Sequence, residues 1–432
     1  MVASKYNLLL DIEGKEYLFN LASQCLISCD HDLVDFLYGN QEIYLSKDEE
    51  TSLYENGIIV DSHEFEVSRL KSNISSLKFD KTKMAAFIST TSACNLNCTY
   101  CYQDRRKELN CKKYMTERNW KVVLEYFKNE IKTHNTKLFA VSLFGGEPMF
   151  NDSMCQQIIT DLRRLEDAFP ELVIQCVLIT NGTLFNENNI KFYLDNIDNI
   201  QITLDGIKEI NDSFRVYPNG EGSFDKIISS LKLIKKYKTS DILSTICLRI
   251  NVNKETVNKS KELIDYLIDN NLAQAITSIK FHEIFGTQGE IILDGNDERD
   301  NDIELAKEIV KLNYYLIENG IKVFKEVSGL CIGKLANGYT VDEQLNIYAC
   351  PGLLYSDVHG KISTDGKLII DNKKWYDYHL EEAKCINFCK YAPICYGGCT
   401  WAKGENEKDC MRDIFDATLV DKIKTYIISQ YI

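Results

Sequence analysis

Three thiols fall within eight residues of this chain, at Cys94, Cys98 and Cys101, in the run Cys94-Asn95-Leu96-Asn97-Cys98-Thr99-Tyr100-Cys101-Tyr102. Thiolates are soft ligands, and a cubane iron–sulfur cluster is normally held by four of them. A trio on one short loop can hold three irons and leave the fourth open to a small molecule. Structural zinc instead needs a closed shell of four ligands, usually two C-x-x-C pairs. The next cysteine, Cys111, lies ten residues on and brings no second pair. The loop therefore favours an iron–sulfur cluster over zinc.

The 432-residue chain has sixteen cysteines, and their distribution carries the same message. Seven more are grouped late, as Cys331, Cys350, Cys385-x-x-x-Cys389, Cys395-x-x-x-Cys399 and Cys410. Cys155, Cys176 and Cys247 sit in apolar contexts and read as small buried hydrophobes. Cys25 and Cys29 are lone thiols that read as packing. The N-terminus shows no basic stretch followed by an apolar run and a cleavage site, so no export signal is expected. Thiols in such a chain point to metal ligation in a reducing compartment, the cytoplasm, and away from disulfides.

Composition excludes several classes. A net charge of −14 argues against a nucleic-acid surface and supplies no basic patch for a membrane. No apolar run approaches the roughly 20 residues that span a bilayer.

The elements that must position these cysteines follow from periodicity. Tyr6–Leu10, a Glu13-Gly14 turn, Glu16–Phe19 and Gln24–Ile27 predict a small antiparallel sheet. Short helices are expected at Asp30–Tyr38 and Lys47–Glu55, then a strand at Ile58–Val60, with residues 61–83 as a linker. From Met84 the pattern changes to strands alternating with longer helices, which implies βαβ units and a parallel sheet. Strands are expected at Ala85–Thr90, Leu138–Phe144, Val173–Thr180, Ile200–Leu204, Ser244–Val252 and Ile279–Ile284. Helices fall at Glu117–Lys132, Ser153–Ala168, Glu187–Asn196, Phe224–Tyr237 and Lys254–Asn270. Six repeats are too few for an eight-fold barrel. Residues 285–330 read as a bridge with one helix, Asp302–Asn319.

Further chemistry sits at strand ends. Phe144-Gly145-Gly146-Glu147-Pro148 closes the second barrel strand, where barrel active sites are built. Paired glycines permit close backbone approach, and the acid can accept from an ammonium group. Thr180-Asn181-Gly182 ends the third strand and Thr203-Leu204-Asp205-Gly206 the fourth. Asp205 and Asn181 also suit turn formation.

The C-x-x-x-C-x-x-C spacing, with Tyr100 before its last cysteine, resembles the radical S-adenosylmethionine (SAM) superfamily. That resemblance implies a partial (β/α)6 barrel over 84–284. Cys94, Cys98 and Cys101 would hold the SAM-binding [4Fe–4S] cluster. The Gly145-Gly146-Glu147-Pro148 turn is similar to the motif that grips the methionyl amine of SAM. Tyr100, Thr180, Asn181 and Asp205 would join the cofactor site. Arg215 matches an arginine that meets the SAM carboxylate, and Asn251 is a candidate for ribose or carboxylate. The chemistry implied is a 5′-deoxyadenosyl radical that abstracts hydrogen, with the protein supplying placement and exclusion of water.

The late cysteines, with Tyr396-Gly397-Gly398-Cys399, resemble the SPASM domain, which houses two auxiliary [4Fe–4S] clusters; a multi-zinc domain is the other reading. The sequence departs from that pattern at Leu345, where a glycine is usual, and in the three residues between Cys385 and Cys389. By resemblance, one cluster would use Cys331, Cys350 and Cys399, and the other Cys385, Cys389, Cys395 and Cys410. The first has three thiolates, so its open iron could take a substrate cysteine as thiolate. Residues 1–75 resemble the winged-helix module that recognises leader peptides, where a leader adds as a strand to an exposed edge. A plain N-terminal cap is the alternative.

The implied function is a radical SAM/SPASM peptide maturase that forms Cys sulfur-to-carbon thioethers in a ribosomal precursor, with SAM and three [4Fe–4S] clusters as cofactors. Its partners would be the precursor with its leader and an electron donor such as flavodoxin or ferredoxin. A maturase forming carbon–carbon crosslinks is the alternative. Sulfatase maturation commonly has an Asp after the second SPASM cysteine, where this chain has Pro351. An iron–sulfur scaffold or electron-transfer protein would not need the Gly-Gly-Glu-Pro turn.

Overall fold

The computed structural model describes residues 1–39, 44–103, 112–239, 241–242, 244–284, 303–325, 329–372, 379–399 and 410–431. Cys111 and the stretch 285–302, which includes most of the expected bridge before its helix, lie outside the described residues.

The N-terminal part has strands β1 (Val2–Ala3), β2 (Asn7–Ile12), β3 (Lys15–Asn20), β4 (Leu26–Ser28) and β5 (Ile59–Val60). The β2–β3 connection is the two-residue turn Glu13-Gly14, with φ of 54° and 76°. Positive φ at both positions matches the twist of a tight hairpin. Strands β2, β3 and β4 form one antiparallel sheet, and β1 pairs with β5. Helices span His31–Leu37 and Lys47–Glu55, the second opened by a Ser46/Glu49 capping box.

The expected linker is instead a 17-residue helix, His63–Phe79, capped by Ser62. Leu70 and Ile74 on it are buried in one cluster with Tyr6, Leu8, Leu10 and Leu21, and with Leu380, Ile386, Leu419 and Ile423 from the far end of the chain. Its buried side carries Glu66 and Lys78 beside Leu70 and Ile74, so charge on both faces gave the segment the look of a linker. A domain boundary at residue 75 falls inside this helix.

The core of the molecule is a ten-stranded sheet. Its six parallel strands are β6 (Lys83–Thr91), β7 (Leu138–Gly145), β8 (Val173–Thr180), β9 (Asn199–Thr203), β10 (Thr245–Val252) and β11 (Ser278–Glu283), each beside the next. All six stand where the periodicity placed them, with ends shifted by at most two residues. Helices Glu117–His134, Asp152–Ala168, Ile190–Asn196, Phe224–Tyr237 and Ser260–Asp269 join them. The third starts at Ile190, later than expected, because Asn186 and Asn189 side chains bind the backbone ahead of it: Asn189 Oδ1 accepts from Asn186 N at 2.9 Å, and Asn186 Oδ1 from Asn188 N at 2.9 Å.

Beyond β6 the sheet continues through β12 (Gly338–Val341), parallel to β6, then antiparallel β13 (Asn346–Tyr348), β14 (Gly360–Ile362) and β15 (Leu368–Ile370). The late cysteine region is thus stitched into the barrel sheet. A C-terminal helix, Arg412–Ser429, packs on the helix Ile303–Glu318, with Tyr314 donating to Asp421 at 3.0 Å. No described helix is long and apolar enough to cross a membrane.

Strand alternation defines two faces. Met84, Ala86 and Ile88 pack under the helices and are fully buried. Their alternates, such as Phe87, Ser142, Gln201, Arg249, Lys280 and His282, are half-buried and line the concave side.

Candidate active site

The cysteine loop follows β6 directly and is pinned by backbone. Asn97 N donates to Val216 O at 2.7 Å and Thr99 N to Phe214 O at 2.9 Å. Asn95 Nδ2 donates to Thr183 Oγ1 at 2.8 Å, and Tyr102 OH to Pro351 O at 3.3 Å. Burial, with the Glu147 carboxylate adding, pushes the Cys94 thiol up to about 12, and Cys98 and Cys101 lie near enough to add to the shift. A thiol held neutral by burial becomes a ligand only when a metal takes its proton's place.

The tip of β7 explains its two glycines. Gly145 has φ of +134°, and a Cβ there would sit 2.3 Å from Thr91 O; a Cβ on Gly146 would sit 2.4 Å from Ala93 O. The close approach is to the chain's own backbone leading into the cysteine loop. Gly146 N and Glu147 N bond Thr91 O and Ala93 O, each at 2.9 Å. Pro148 opens the turn Pro148–Asn151, and its carbonyl accepts from Thr90 Oγ1 at 2.9 Å.

Glu147 is buried at the centre. Its Oε1 accepts from Thr180 Oγ1 at 2.7 Å and Met149 N at 3.1 Å, and its Oε2 from Asn181 N at 2.7 Å. Burial raises its pKa to about 7, with these donors partly offsetting the rise. Asn181 ties the β8 tip to the loop, donating to Asn95 Oδ1 at 2.9 Å while its own Oδ1 accepts from Thr183 N at 2.9 Å. Asn181 is therefore a turn former and a brace for the cysteine loop at once.

A second polar knot joins Tyr100, Asp205, Arg215 and Asn251. Burial pushes the Tyr100 phenol well up, so it donates to Asp205 Oδ2 and accepts from Arg215 Nη1 at 2.8 Å and Asn251 Nδ2 at 3.1 Å. Asn251 Nδ2 also donates to Asp205 Oδ1 at 3.0 Å. The fold brings every expected residue of this group together from the ends of β9 and β10, the C-terminus of the helix Lys208–Phe214 and the cysteine loop.

Two features fit an amino-acid zwitterion such as the methionyl end of SAM. Arg215 Nε is buried with no acceptor among the described residues. Glu147 Oε2 has one protein donor and room for another. Arg215 is near enough to act on Glu147 electrostatically, so one N–H without an acceptor and one carboxylate oxygen with room to accept stand close together.

The late cysteines fall into two neighbourhoods. Burial pushes Cys350 up to about 12, and Cys331 and Cys399 are near enough to add. Burial raises Cys395, Lys334 counters it, and Cys385 and Cys389 add. Arg412, two residues past Cys410, hydrogen-bonds the Cys389 thiol. Among the described residues no three Cys, His, Asp or Glu side chains converge as a single-ion site.

The sequence motifs did not flag several residues at this site. Ser89 and Tyr355 OH both bond Glu343 Oε1, the latter at 2.7 Å, and burial raises Glu343 to about 7. Arg249, two residues before Asn251 on the same strand face, donates to Asn251 Oδ1 at 2.8 Å. The period-two spacing from Asn251 was the available signal.

Residues 88–264 match the family model described as the radical SAM superfamily. A cysteine-type anaerobic sulfatase-maturating enzyme of Clostridium novyi (strain NT) is 31% identical over 170 residues, which is 38% of this chain and 42% of that protein. The chain thus spans about two fifths of that relative's length. Among solved structures, anSMEcpe with bound AdoMet superposes with a TM-score of 0.59 at 19% identity, covering 79% of this chain and 98% of the other. SuiB of Streptococcus suis bound to precursor peptide SuiA gives 0.51 at 14% identity, covering 96% and 99%. At such identities the structures speak for the fold alone. Residues 88–264 are thus similar to the radical SAM superfamily, and the chain has the α/β fold of the solved radical SAM enzymes.

Proposed function

We propose that this chain is a radical SAM peptide maturase that joins a cysteine sulfur to carbon in a ribosomally made precursor peptide. The observation that carries the reading is that Cys331 and Cys399, both exposed, lie near enough to the half-buried Cys350 to raise its pKa. Three thiolates leave one iron of a four-iron cluster without a protein ligand, and a substrate cysteine is the natural fourth. Cys385, Cys389, Cys395 and Cys410 would hold the second auxiliary cluster.

When bound, SAM and the cluster on Cys94, Cys98 and Cys101 supply a 5′-deoxyadenosyl radical that removes hydrogen from the substrate. The chain's own residues do the placing. Glu147 Oε2 would accept from the methionyl ammonium, and Arg215 Nε would donate to the carboxylate. Gly145 and Gly146 hold the cysteine loop against β7, while Pro148 fixes the turn. Thr180 and Asn181 keep Glu147 oriented. Tyr100, Asp205 and Asn251 lock the loop to β9 and β10 and close that side to water. Tyr102 links the loop to Pro351, next to Cys350, so the two thiol groups share one wall of the site.

The three-stranded N-terminal sheet would dock the leader at β4, whose outer edge has no strand partner among the described residues. A reduced flavodoxin or ferredoxin would supply the electron. The test uses a variant with Cys94, Cys98 and Cys101 replaced by Ala, so that auxiliary clusters alone contribute to the spectrum. Adding a Cys-bearing precursor peptide should change its electron paramagnetic resonance signal, and its Cys→Ser counterpart should not. Identical spectra with both peptides would contradict the open-iron reading.

A further inference from the structure

A cavity of about 120 Å³ lies where the N-terminal module, the helix His63–Phe79 and the late cysteine region meet. Ala22, Val60, Leu70, Ile74, Leu77 and Pro393 give it apolar walls. Strand β4, where the leader is proposed to dock, contributes no residue to it. Two polar side chains are buried in its lining. Tyr6 has no exposed surface, and its hydroxyl meets no hydrogen-bond partner. Burial pushes its pKa up, so the phenol keeps its proton. Glu66 is 7% exposed; its Oε1 accepts from Ser4 Oγ, and its Oε2 accepts from Lys5 N at 3.3 Å. Lys5 lies near enough to feel that carboxylate, but its Nζ donates to Asn387 O at 3.0 Å. The cavity thus holds a hydroxyl without a partner and a carboxylate oxygen with room to accept, close enough for each to sense the other.

A buried hydroxyl left unmet destabilises the empty protein, and a ligand that supplies its partner recovers that cost. Cavities on the order of 150 Å³ admit a benzene ring, so this one has room for a single six-membered ring. A hydroxyl both donates and accepts, whereas an indole N–H only donates and a phenyl ring does neither. We propose that this cavity is a binding site for a phenol, carried either by free tyrosine or by a tyrosine side chain of a peptide. The ring packs between the apolar walls, its O–H donates to Glu66 Oε2, and its oxygen accepts from Tyr6. Since Pro393 and Tyr396 line the same cavity, a bound phenol ties the N-terminal module to the late cysteine region.

The test uses the full-length protein purified anaerobically and two soluble probes, N-acetyl-tyrosinamide and N-acetyl-phenylalaninamide. Saturation-transfer NMR should show the tyrosine probe binding with a Kd on the order of millimolar, and its twin at least about tenfold more weakly. Tyr6→Phe removes only the unmet hydroxyl, so it should erase that preference without lowering the melting temperature. Ala22→Phe, a change at an exposed position of the lining, should exclude both probes. Free L-tyrosine binding more tightly than the blocked probe would mark the amino acid as the source, its charged ends meeting Arg69 and Asp61 in the lining; equal or weaker binding would mark a peptide. Equal binding of the twins, or none by either up to about 20 mM, overturns the site. Full binding in Ala22→Phe also overturns it, because the probe would then sit elsewhere. So does a lower melting temperature in Tyr6→Phe, which would show that the hydroxyl already has a partner in the fold.

Discussion

Glu147 caps the turn after β7, braces the β8 tip and offers one oxygen to a ligand. Because burial raises its pKa to about 7, the carboxyl is largely protonated below neutrality in the ligand-free protein. An ammonium needs the carboxylate, so binding SAM must release that proton. SAM affinity should therefore rise about tenfold per pH unit up to about 7 and level off above it. Glu147→Gln should flatten the profile and weaken binding at pH 8 by roughly 10- to 150-fold, the worth of one charge-assisted hydrogen bond. Calorimetric titration across pH checks both; an unchanged profile in the variant would make the residue purely a turn brace. The sequence made Glu147, Asn181, Asp205 and Arg215 legible because each belongs to a motif with a fixed strand-end position. Arg249 and Glu343 were not, since a lone charge on a strand or hairpin carries no motif and only the folded neighbours reveal its burial. Gly145 and Gly146 were expected to admit a ligand, and they are explained by the backbone of Thr91 and Ala93.

Among elements, the barrel strands were readable because β-branched runs such as Val173–Thr180 alternate with long amphipathic helices. The helix His63–Phe79 was not, because Ser, Lys, Glu and Asn fill most of it and its buried side is narrow. Its apolar contacts, Leu70 and Ile74, gain their meaning from residues more than 300 positions away. The same holds for β12, a four-residue strand whose place beside β6 is decided by tertiary pairing. Since Ile74 is fully buried against both chain ends, Ile74→Ala should cost about 2–5 kcal/mol of stability. It should also lower retention of auxiliary iron during gel filtration, because the C-terminal cysteine region shares that core. Thermal melts and iron assays on the same samples test this. A destabilised variant with full iron would show that the shared core does not support the cysteine region.

At the scale of the molecule, the sheet joins the radical SAM domain to the late cysteine region without a break, and the N-terminal module rests on the far end of that region. On the proposed reading, three groups of thiols would give anaerobically reconstituted protein about twelve irons. Replacing Cys94, Cys98 and Cys101 with Ala should leave about eight and abolish SAM cleavage. Iron near four in the native protein, or zinc in its place, would contradict the three-cluster arrangement. The central claim is that a substrate cysteine becomes a thioether, and mass spectrometry of the reacted precursor after thiol alkylation tests it most directly. The account predicts a product two hydrogens lighter per crosslink, with that cysteine resistant to alkylation. A product of the same lowered mass whose cysteine still alkylates would contradict it and favour a carbon–carbon crosslink.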